Sequence, residues 1–257
     1  MEFVIVGLVA LISSLLTLYS GFGLGTLLLP AFILFFPAPV AVAMTAIVHF
    51  LNNLFKLGLM GKYADKTVTL KFGIPALISS ALGAWLLSFL VEQSTLFSWS
   101  LGSTIFEVTG LSFTMAILMF FFALWEIIPL LANLTVSSKF LPVGGFLSGF
   151  FGGLSGHQGA FRSVFLVRAG LSKEAFIGTG VLIACIVDVT RLGFYFNQFS
   201  STLFTDHIGI LLTGILSAFL GAWIGSKAIK KITLDSVKWI VAVLLIFISL
   251  LLGTGLI

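Results

Sequence analysis

The chain has 257 residues, of which 59% are hydrophobic and only 9% are charged, and its mean hydropathy is +1.22. Soluble domains carry about 25% charged residues, so the composition excludes a soluble globular protein and predicts lipid as the solvent. The formal net charge of +4 would favour nucleic-acid binding in a soluble protein. Here the lysines lie between apolar runs, where they set membrane orientation. We predict one transmembrane domain over residues 1–257.

The apolar segments, taken in chain order, are of two kinds. Six are long enough to cross the bilayer as helices, and these are Val40–Met60, Val68–Val91, Thr109–Leu131, Ala175–Phe196, Ile208–Ala228 and Trp239–Ile257. The other four are short or borderline and form two pairs, each interrupted by glycine-rich sequence. These pairs are Phe3–Tyr19 with Leu24–Phe36, and Leu141–Leu154 with Ala160–Val167. Broken pairs at matching places in the two halves indicate an internal repeat.

An internal alignment at an offset of about 135 residues supports this repeat. The matched elements are Ser20-Gly21 with Ser155-Gly156, Asn53 with Asp188, Lys56-Leu57-Gly58 with Arg191-Leu192-Gly193, and, slightly out of register, Leu82-Gly83-Ala84-Trp85 with Leu220-Gly221-Ala222-Trp223. We therefore predict an all-α polytopic membrane protein with two inverted repeats, 1–133 and 139–257. Each repeat would be a broken, re-entrant-like helical hairpin followed by three transmembrane helices.

Loop charges predict the orientation of the chain. Basic residues concentrate after the third segment, on both sides of the second broken pair, and between the last two segments. They are Lys62, Lys66, Lys71, Lys139, Arg168, Lys173, Lys227, Lys230, Lys231 and Lys238. The stretches Glu92–Glu107 and Asn197–His207 carry acids and neither lysine nor arginine. By the positive-inside rule the basic loops are cytoplasmic and both termini are outside, which gives the two halves opposite orientations.

The two glycine breaks are where the sequence allows a polar cavity. Unwound backbone in hydrocarbon must be satisfied by protein or by water in a cavity. Half-helices that begin at a break would direct free N–H groups and positive dipole ends at a ligand. This favours an anion, held near Gly21, Gly23 and Gly25 in the first break and near Ser155 and Gly156 in the second. The alternative is that the glycines only allow tight helix packing.

Ionisable residues within the apolar segments provide further candidates. Thr45, His49, Asn53 and Lys56 share one helix face, and Asp188 and Arg191 share the matching face of the second repeat. Such residues usually face the bundle interior and mark a substrate or ion pathway. We predict His49 and Asn53 as substrate ligands, and Asp188, Arg191 and Lys56 as ion-pairing or coupling residues. Three structural alternatives stay open: Asp188 and Arg191 only neutralise each other, Lys56 and Arg191 only extend toward the membrane surface, or His49 is only a satisfied packing residue.

Arg162 is the charge that the repeat does not explain, because its counterpart in the first half is Leu27. It follows the second break, where His157 and Gln158 also lie. A guanidinium presents a planar fork suited to oxyanions, so we predict Arg162, His157 and Gln158 as substrate ligands. The alternative is that Arg162 pairs with Asp188 and stabilises the fold.

An intramembrane protease is the main rival. Gly153-Leu154-Ser155-Gly156 matches the G-x-S-G of rhomboid-type enzymes, but such a serine needs a histidine on another helix within reach, and His207 lies in a predicted outer loop. The single cysteine, Cys185, is in an apolar run, and the sequence contains neither H-E-x-x-H nor a P-loop. We therefore predict no enzyme, no metal, no cofactor and no ATP-driven step.

The whole chain resembles the sulfite exporter TauE/SafE family of membrane transporters. The residues that carry the resemblance are Ser20–Gly25 with Pro30, Leu147–Gly156, and Gly156–Ser163 with Ala169–Phe176. Many members have a run of glycines and a proline where this chain has Gln158 and Arg162. The resemblance implies transport of sulfur oxyanions or small sulfonates across a bacterial inner membrane.

We therefore predict a secondary transporter that moves a small anion, sulfite or another sulfur oxyanion or organosulfonate, by alternating access. Its predicted partners are the substrate and the lipid bilayer, without nucleic acid. An anion channel and a rhomboid-like serine protease are the alternatives.

Overall fold

Helices make up most of the computed structural model, which describes residues 1–20, 24–132, 134–198, 206–227 and 235–257. In chain order they are α1 Glu2–Ser20, α2 Leu24–Ile33, α3 Ala38–Met60, α4 Lys66–Glu92, α5 Gly110–Ile127, α6 Pro129–Ala132, α7 Leu141–Ser155, α8 Gln158–Leu166, α9 Lys173–Gln198, α10 Ile208–Lys227 and α11 Asp235–Gly253. Short 3₁₀ turns cover Gly61–Tyr63 and Ser138–Phe140. The predicted all-α polytopic class is confirmed.

Within the described ranges, five helices are long and apolar enough to cross a membrane. They cover Ala38–Tyr63, Lys66–Glu92, Gly110–Ile127, Lys173–Phe196 and Ile208–Lys227, and they coincide with five of the six predicted spans. The sixth predicted span falls on α11. The helices α1, α2, α7 and α8 form the two broken pairs, so the chain is a multi-pass membrane protein.

A β-hairpin occupies the stretch that the sequence predicted only as an outer loop. Strands β1 Thr95–Leu101 and β2 Thr104–Thr109 pair antiparallel, and the turn between them uses the left-handed backbone of Gly102, with φ of 64°. The Trp99 indole stacks on Phe106 at 4.6 Å, and its Nε1 donates to the carbonyl of Thr254 at 2.7 Å. The hairpin therefore packs against the C-terminal end of α11.

Helices from opposite halves of the chain pack on one another. The main pairs are α4 with α7, α1 with α10, α5 with α11, and α3 with α9. The two copies of the Leu-Gly-Ala-Trp motif lie in equivalent contacts. A Cβ at Gly83 in α4 would overlap the carbonyl of Phe150 in α7, and a Cβ at Gly221 in α10 would overlap the carbonyl of Leu11 in α1.

The contact between α4 and α7 depends on glycine. Three α7 glycines, spaced four apart, lie directly against three α4 carbonyls that are also spaced four apart. The pairs are Gly145 with Phe72, Gly149 with Ala76, and Gly153 with Ser80. In lipid the hydrophobic effect does not drive helices together, so close packing has to stabilise their contact. Small residues such as glycine allow membrane helices to approach closely enough for this packing.

Substituting Gly153 should therefore destabilise the protein strongly. In Gly153→Leu the new side chain would meet the backbone of Ser80, and we expect a loss of at least about 3 kcal/mol, the upper range of overpacking costs. The measurement is thermal unfolding in detergent. The matched control is Gly58→Ala, where a Cβ meets nothing within 4 Å and stability should rise by about 0.5–1 kcal/mol. Equal midpoints for the two variants would contradict the packing role of Gly153.

The predicted inner and outer loops lie at opposite ends of the bundle. At one end Gly178 packs against Met60, and the backbone N–H of Asp65 donates to Thr179 Oγ1 at 2.8 Å. At the other end the ring of His207 contacts that of Phe36, with centroids 5.0 Å apart. The described lysines and arginines of the basic loops therefore share the end that contains Met60.

Candidate functional site

Asp188 is the centre of a buried polar cluster where α3, α8 and α9 meet. Its side chain is fully buried and lies 2.7 Å from His49 Nδ1 and 2.9 Å from Arg191 Nη2. Asn53 Nδ2 donates to it at 3.0 Å and Gln158 Nε2 at 3.4 Å. A buried carboxylate is tolerated only with such partners. Five predicted site residues are thus in one cluster, and the predicted ion pair between Asp188 and Arg191 is present.

The two helix breaks also meet. A Cβ at Gly25, in the first turn of α2, would lie 3.3 Å from the carbonyl oxygen of Gly156 and 3.7 Å from Thr45 Cγ2. Gly156 ends α7 with φ of 82°, and α8 begins two residues later at Gln158. The amino ends of α2 and α8, whose first-turn N–H groups have no partner within their own helix, therefore lie at one place. The predicted residues Gly21 and Gly23 lie outside the described residues.

Polar atoms around this junction keep unused hydrogen-bonding capacity. Thr45 Oγ1, His157 Nε2 and Arg191 Nε have no hydrogen-bond partner among the described residues, and their residues are only 1% exposed. Arg191 is also adjacent to the break, since a Cβ at Gly156 would be 2.7 Å from its Nη1. An unsatisfied buried polar group costs about 1–3 kcal/mol. The three groups at this junction therefore have hydrogen-bonding capacity available for a ligand or for water.

Ser155 and His157 are in contact, which the sequence did not predict. His157 Nδ1 lies 3.0 Å from Ser155 Oγ, and the imidazole stacks on Phe122 with centroids 4.8 Å apart. The Ser155 hydroxyl, however, donates to the carbonyl of Phe151 at 3.1 Å. The Phe151 carbonyl therefore competes with the imidazole for the single hydroxyl proton, whereas an activated nucleophile donates to its base. His207 lies beside Phe36, at the end of the bundle opposite Met60.

Arg162 reaches Asp188 through an intermediary. Its Nη1 donates to Gln158 Oε1 at 3.2 Å, and Gln158 Nε2 is the group that donates to Asp188. The Gln158 backbone is held in turn, because its carbonyl accepts from Ser148 Oγ at 2.9 Å. Asp188 instead forms its direct pair with Arg191, so the alternative in which Arg162 pairs directly with Asp188 is wrong.

Lys56 is buried, with 3% of its surface exposed. Its Nζ donates to Thr17 Oγ1 of α1 at 3.1 Å, and in the amide orientation that satisfies both its groups, Asn52 accepts from Nζ at 3.2 Å. The alternative that Lys56 and Arg191 only extend to the membrane surface is therefore wrong, because both cations are enclosed by helices.

Two polar residues were missed as site residues from the sequence. Thr45 lies one helical turn before His49 on the face that the spacing identified, but it was not assigned a binding role; it contacts the Gly25 junction. Tyr195 is fully enclosed and its hydroxyl donates to the carbonyl of Gly153 at 2.7 Å. The sequence could have indicated Tyr195 as a site residue, because it lies one helical turn after Arg191 in the same helix.

The family comparison agrees with this architecture. The family model described as sulfite exporter TauE/SafE matches residues 5–252, which is nearly the whole chain. No curated protein and no solved structure matches it. The chain therefore belongs to the TauE/SafE sulfite exporter family of membrane transporters.

Proposed function

We propose that this protein is a secondary transporter that moves sulfite, or a related sulfur oxyanion or organosulfonate, across the bacterial inner membrane by alternating access. The observation that carries the proposal is the meeting of the two helix breaks. Gly25 and Gly156 bring the amino ends of α2 and α8 together inside a buried polar cluster. Family membership supports the sulfur oxyanion.

The anion would be held by groups from both halves. Free N–H groups and the positive ends of α2 and α8 would bind its oxygens, together with backbone at the breaks. Arg162 would add a permanent charge and a planar fork. The further side-chain and backbone ligands in this proposal are His157, Gln158, Ser155, Gly156, His49, Asn53 and Gly25, with Gly21 and Gly23 from the first break.

We also propose that residues 1–133 and 139–257 are inverted repeats whose relative movement exposes the site to each side in turn. Two contacts support this. Asn53 and Asp188, matched by the internal alignment, hydrogen-bond directly at 3.0 Å. Each repeat also places its own cation at its own broken pair: Lys56 against Thr17 at the end of α1, and Arg191 against Gly156 at the end of α7.

Transport of labelled anions into proteoliposomes tests the proposal. Uptake of sulfite or a small sulfonate should saturate and show counterflow, which distinguishes a carrier from an anion channel. A carrier uses no nucleophile, so Ser155→Ala should at most weaken anion binding and should not abolish transport. If uptake of every tested anion fails to saturate and shows no counterflow, the proposal is refuted. Ser155-dependent cleavage of a membrane substrate would favour the protease.

The proposed orientation has its own test. In a Cys185→Ser background, a cysteine at Ser103, in the hairpin turn, should react with an impermeant thiol reagent from outside intact cells. A cysteine at Lys62, at the basic end of the bundle, should react only after permeabilisation, because the basic loops are expected to be cytoplasmic. The reverse labelling pattern would invert the orientation.

A further inference from the structure

We infer that the transported anion also carries a hydrogen-bond donor, and that Nε2 of His157 accepts a hydrogen bond from it. This inference rests on the proposed transport of a sulfur oxyanion and narrows the class of substrate. The anion would be a protonated oxyanion such as hydrogen sulfite, or a sulfonate with a hydroxyl or amino group. A fully ionised anion without an O–H or N–H group would bind less well.

The imidazole of His157 belongs to the junction of the two helix breaks. His157 is the residue immediately before α8, and it follows Gly156, whose carbonyl oxygen lies 3.3 Å from the Cβ position of Gly25. The His157 side chain makes no capping hydrogen bond to the first turn of α8. A ligand bound to the first-turn N–H groups of α8 would therefore lie beside an imidazole that is not engaged with its own helix.

The position of the imidazole proton follows from the contacts of Ser155. Nδ1 of His157 lies 3.0 Å from Ser155 Oγ, and Oγ lies 3.1 Å from the carbonyl oxygen of Phe151. If Nδ1 carries the proton, it donates to Oγ while the hydroxyl donates to Phe151, which makes two hydrogen bonds. If Nδ1 is unprotonated, the single hydroxyl proton serves only one of its two neighbours. The arrangement with the proton on Nδ1 is therefore favoured by one hydrogen bond.

The surroundings of the imidazole favour its neutral form. His157 is 1% exposed and stacks on the Phe122 ring, and no carboxylate among the described residues contacts it. The guanidinium of Arg191 is adjacent, since a Cβ at Gly156 would be 2.7 Å from its Nη1. A second buried cation next to Arg191 and without a counterion would be costly. With its one proton on Nδ1, the neutral imidazole presents a lone pair at Nε2.

This lone pair is not used within the described part of the chain, because Nε2 is buried without a partner. The other unused atoms at the junction are Arg191 Nε, which can only donate, and Thr45 Oγ1, which can donate or accept. A fully ionised oxyanion satisfies the donors but places oxygen lone pairs against the lone pair of Nε2. An oxyanion with one O–H group satisfies both the donors and the acceptor.

Bound water is the competing explanation for the unused Nε2. A water molecule in a polar cavity can donate to the imidazole, and the ligand would then contact donors only. That arrangement predicts no preference between two anions that differ only in a hydrogen-bond donor, because the imidazole would not contact either of them.

The test compares methylphosphonate with methanesulfonate at mildly acid pH, where both are monoanions of the same shape but only methylphosphonate has an O–H group. Inhibition constants are measured against labelled sulfite uptake in proteoliposomes, and methylphosphonate should compete at least about 10-fold better. A second pair, hydroxyethanesulfonate and propanesulfonate, differs by a donor on the organic part. A preference in the first pair identifies a protonated oxyanion, and a preference only in the second identifies a substituted sulfonate. Equal inhibition within both pairs would overturn the inference.

His157→Phe keeps an aromatic ring against Phe122 and removes the acceptor, so the preference for the donor-bearing anion should disappear. The matched control is His207→Phe, because His207 also packs against a phenylalanine ring, that of Phe36, but at the end of the bundle opposite Met60; this variant should keep the preference. If His157→Phe does not fold, Ser155→Ala takes its place, and the preference should fall because the Nδ1 proton loses its acceptor. A full preference in the well-folded variant would overturn the role of His157.

The position of the proton can also be measured without transport. Nitrogen NMR of protein with isotope-labelled histidine should show His157 neutral, with Nδ1 protonated and Nε2 unprotonated. The signals are assigned by their loss in His157→Phe or their shift in Ser155→Ala. A proton on Nε2 would overturn the inference. Uptake of sulfite that does not saturate would instead overturn the proposed function, which the spectrum does not test.

Discussion

Replacing Arg162 with lysine should leave a folded protein whose affinity for the anion is about 10- to 100-fold lower, the loss expected for a charged hydrogen bond. The charge is kept, but the planar fork that binds two oxygens together is lost. Arg162→Ala should weaken binding further. The measurement is the concentration dependence of sulfite uptake in proteoliposomes, with Arg168→Lys as control. Arg168 is an exposed arginine just beyond the end of α8.

A structural role for Arg162 would give a different pattern. Because Arg162 is linked to Asp188 through Gln158, Arg162→Ala would then lower the unfolding temperature, and adding Asp188→Asn would restore it. Unchanged affinity for sulfite in well-folded Arg162→Lys and Arg162→Ala proteins would defeat the binding role. The two readouts, affinity and unfolding temperature, therefore separate a ligand from a fold-stabilising residue.

Replacing Asp188 with alanine should destabilise the fold by about 3–5 kcal/mol, the usual cost of removing one partner from a buried ion pair. Arg191, only 1% exposed, would lose its counterion, and His49 and Asn53 would lose a shared acceptor. Thermal and denaturant unfolding in detergent measure the effect. Glu174→Ala, at the exposed start of the same helix, is the control and should change stability by less than about 0.5 kcal/mol.

The double variant Asp188→Asn with Arg191→Gln tests the reason for this loss. Removing both charges should recover part of the stability, because no buried charge is then left uncompensated. The single variant Asp188→Asn also tests coupling. If its uptake driven by a pH gradient keeps the rate of the unmodified protein, Asp188 is not the coupling site. A stability loss in Asp188→Ala no greater than in Glu174→Ala would contradict the central role of this carboxylate.

Local spacing predicted much of the site. His49 and Asn53 on one helix and Asp188 and Arg191 on another were identified because polar residues on one face of an apolar helix are rare and turn inward. The glycine breaks were visible for a similar reason, since helices in lipid are interrupted only where other groups satisfy the backbone.

What the sequence could not predict depends on contacts between distant segments. Lys56 is near the end of its helix, a position that allows extension to the surface, but its Nζ instead donates to Thr17 of the distant helix α1. The β-hairpin is short and polar at its turn, and it depends on Trp99 reaching Thr254 at the far end of the chain. The route from Arg162 to Asp188 depends on the conformation of Gln158, which no pattern of residue types specifies.

The pairing of α1 with α10 and of α4 with α7 also constrains how the protein is made. Translation delivers α1 to the bilayer long before α10, at Ile208–Lys227, exists. Until then the surface of α1 that receives Gly221, and the polar face of α3 that binds Asp188, must be sheltered by lipid, by the insertion machinery or by temporary neighbours. Neither half can complete its own packing, so a truncated chain should be a substrate for quality-control proteolysis, and co-expressed halves should protect one another.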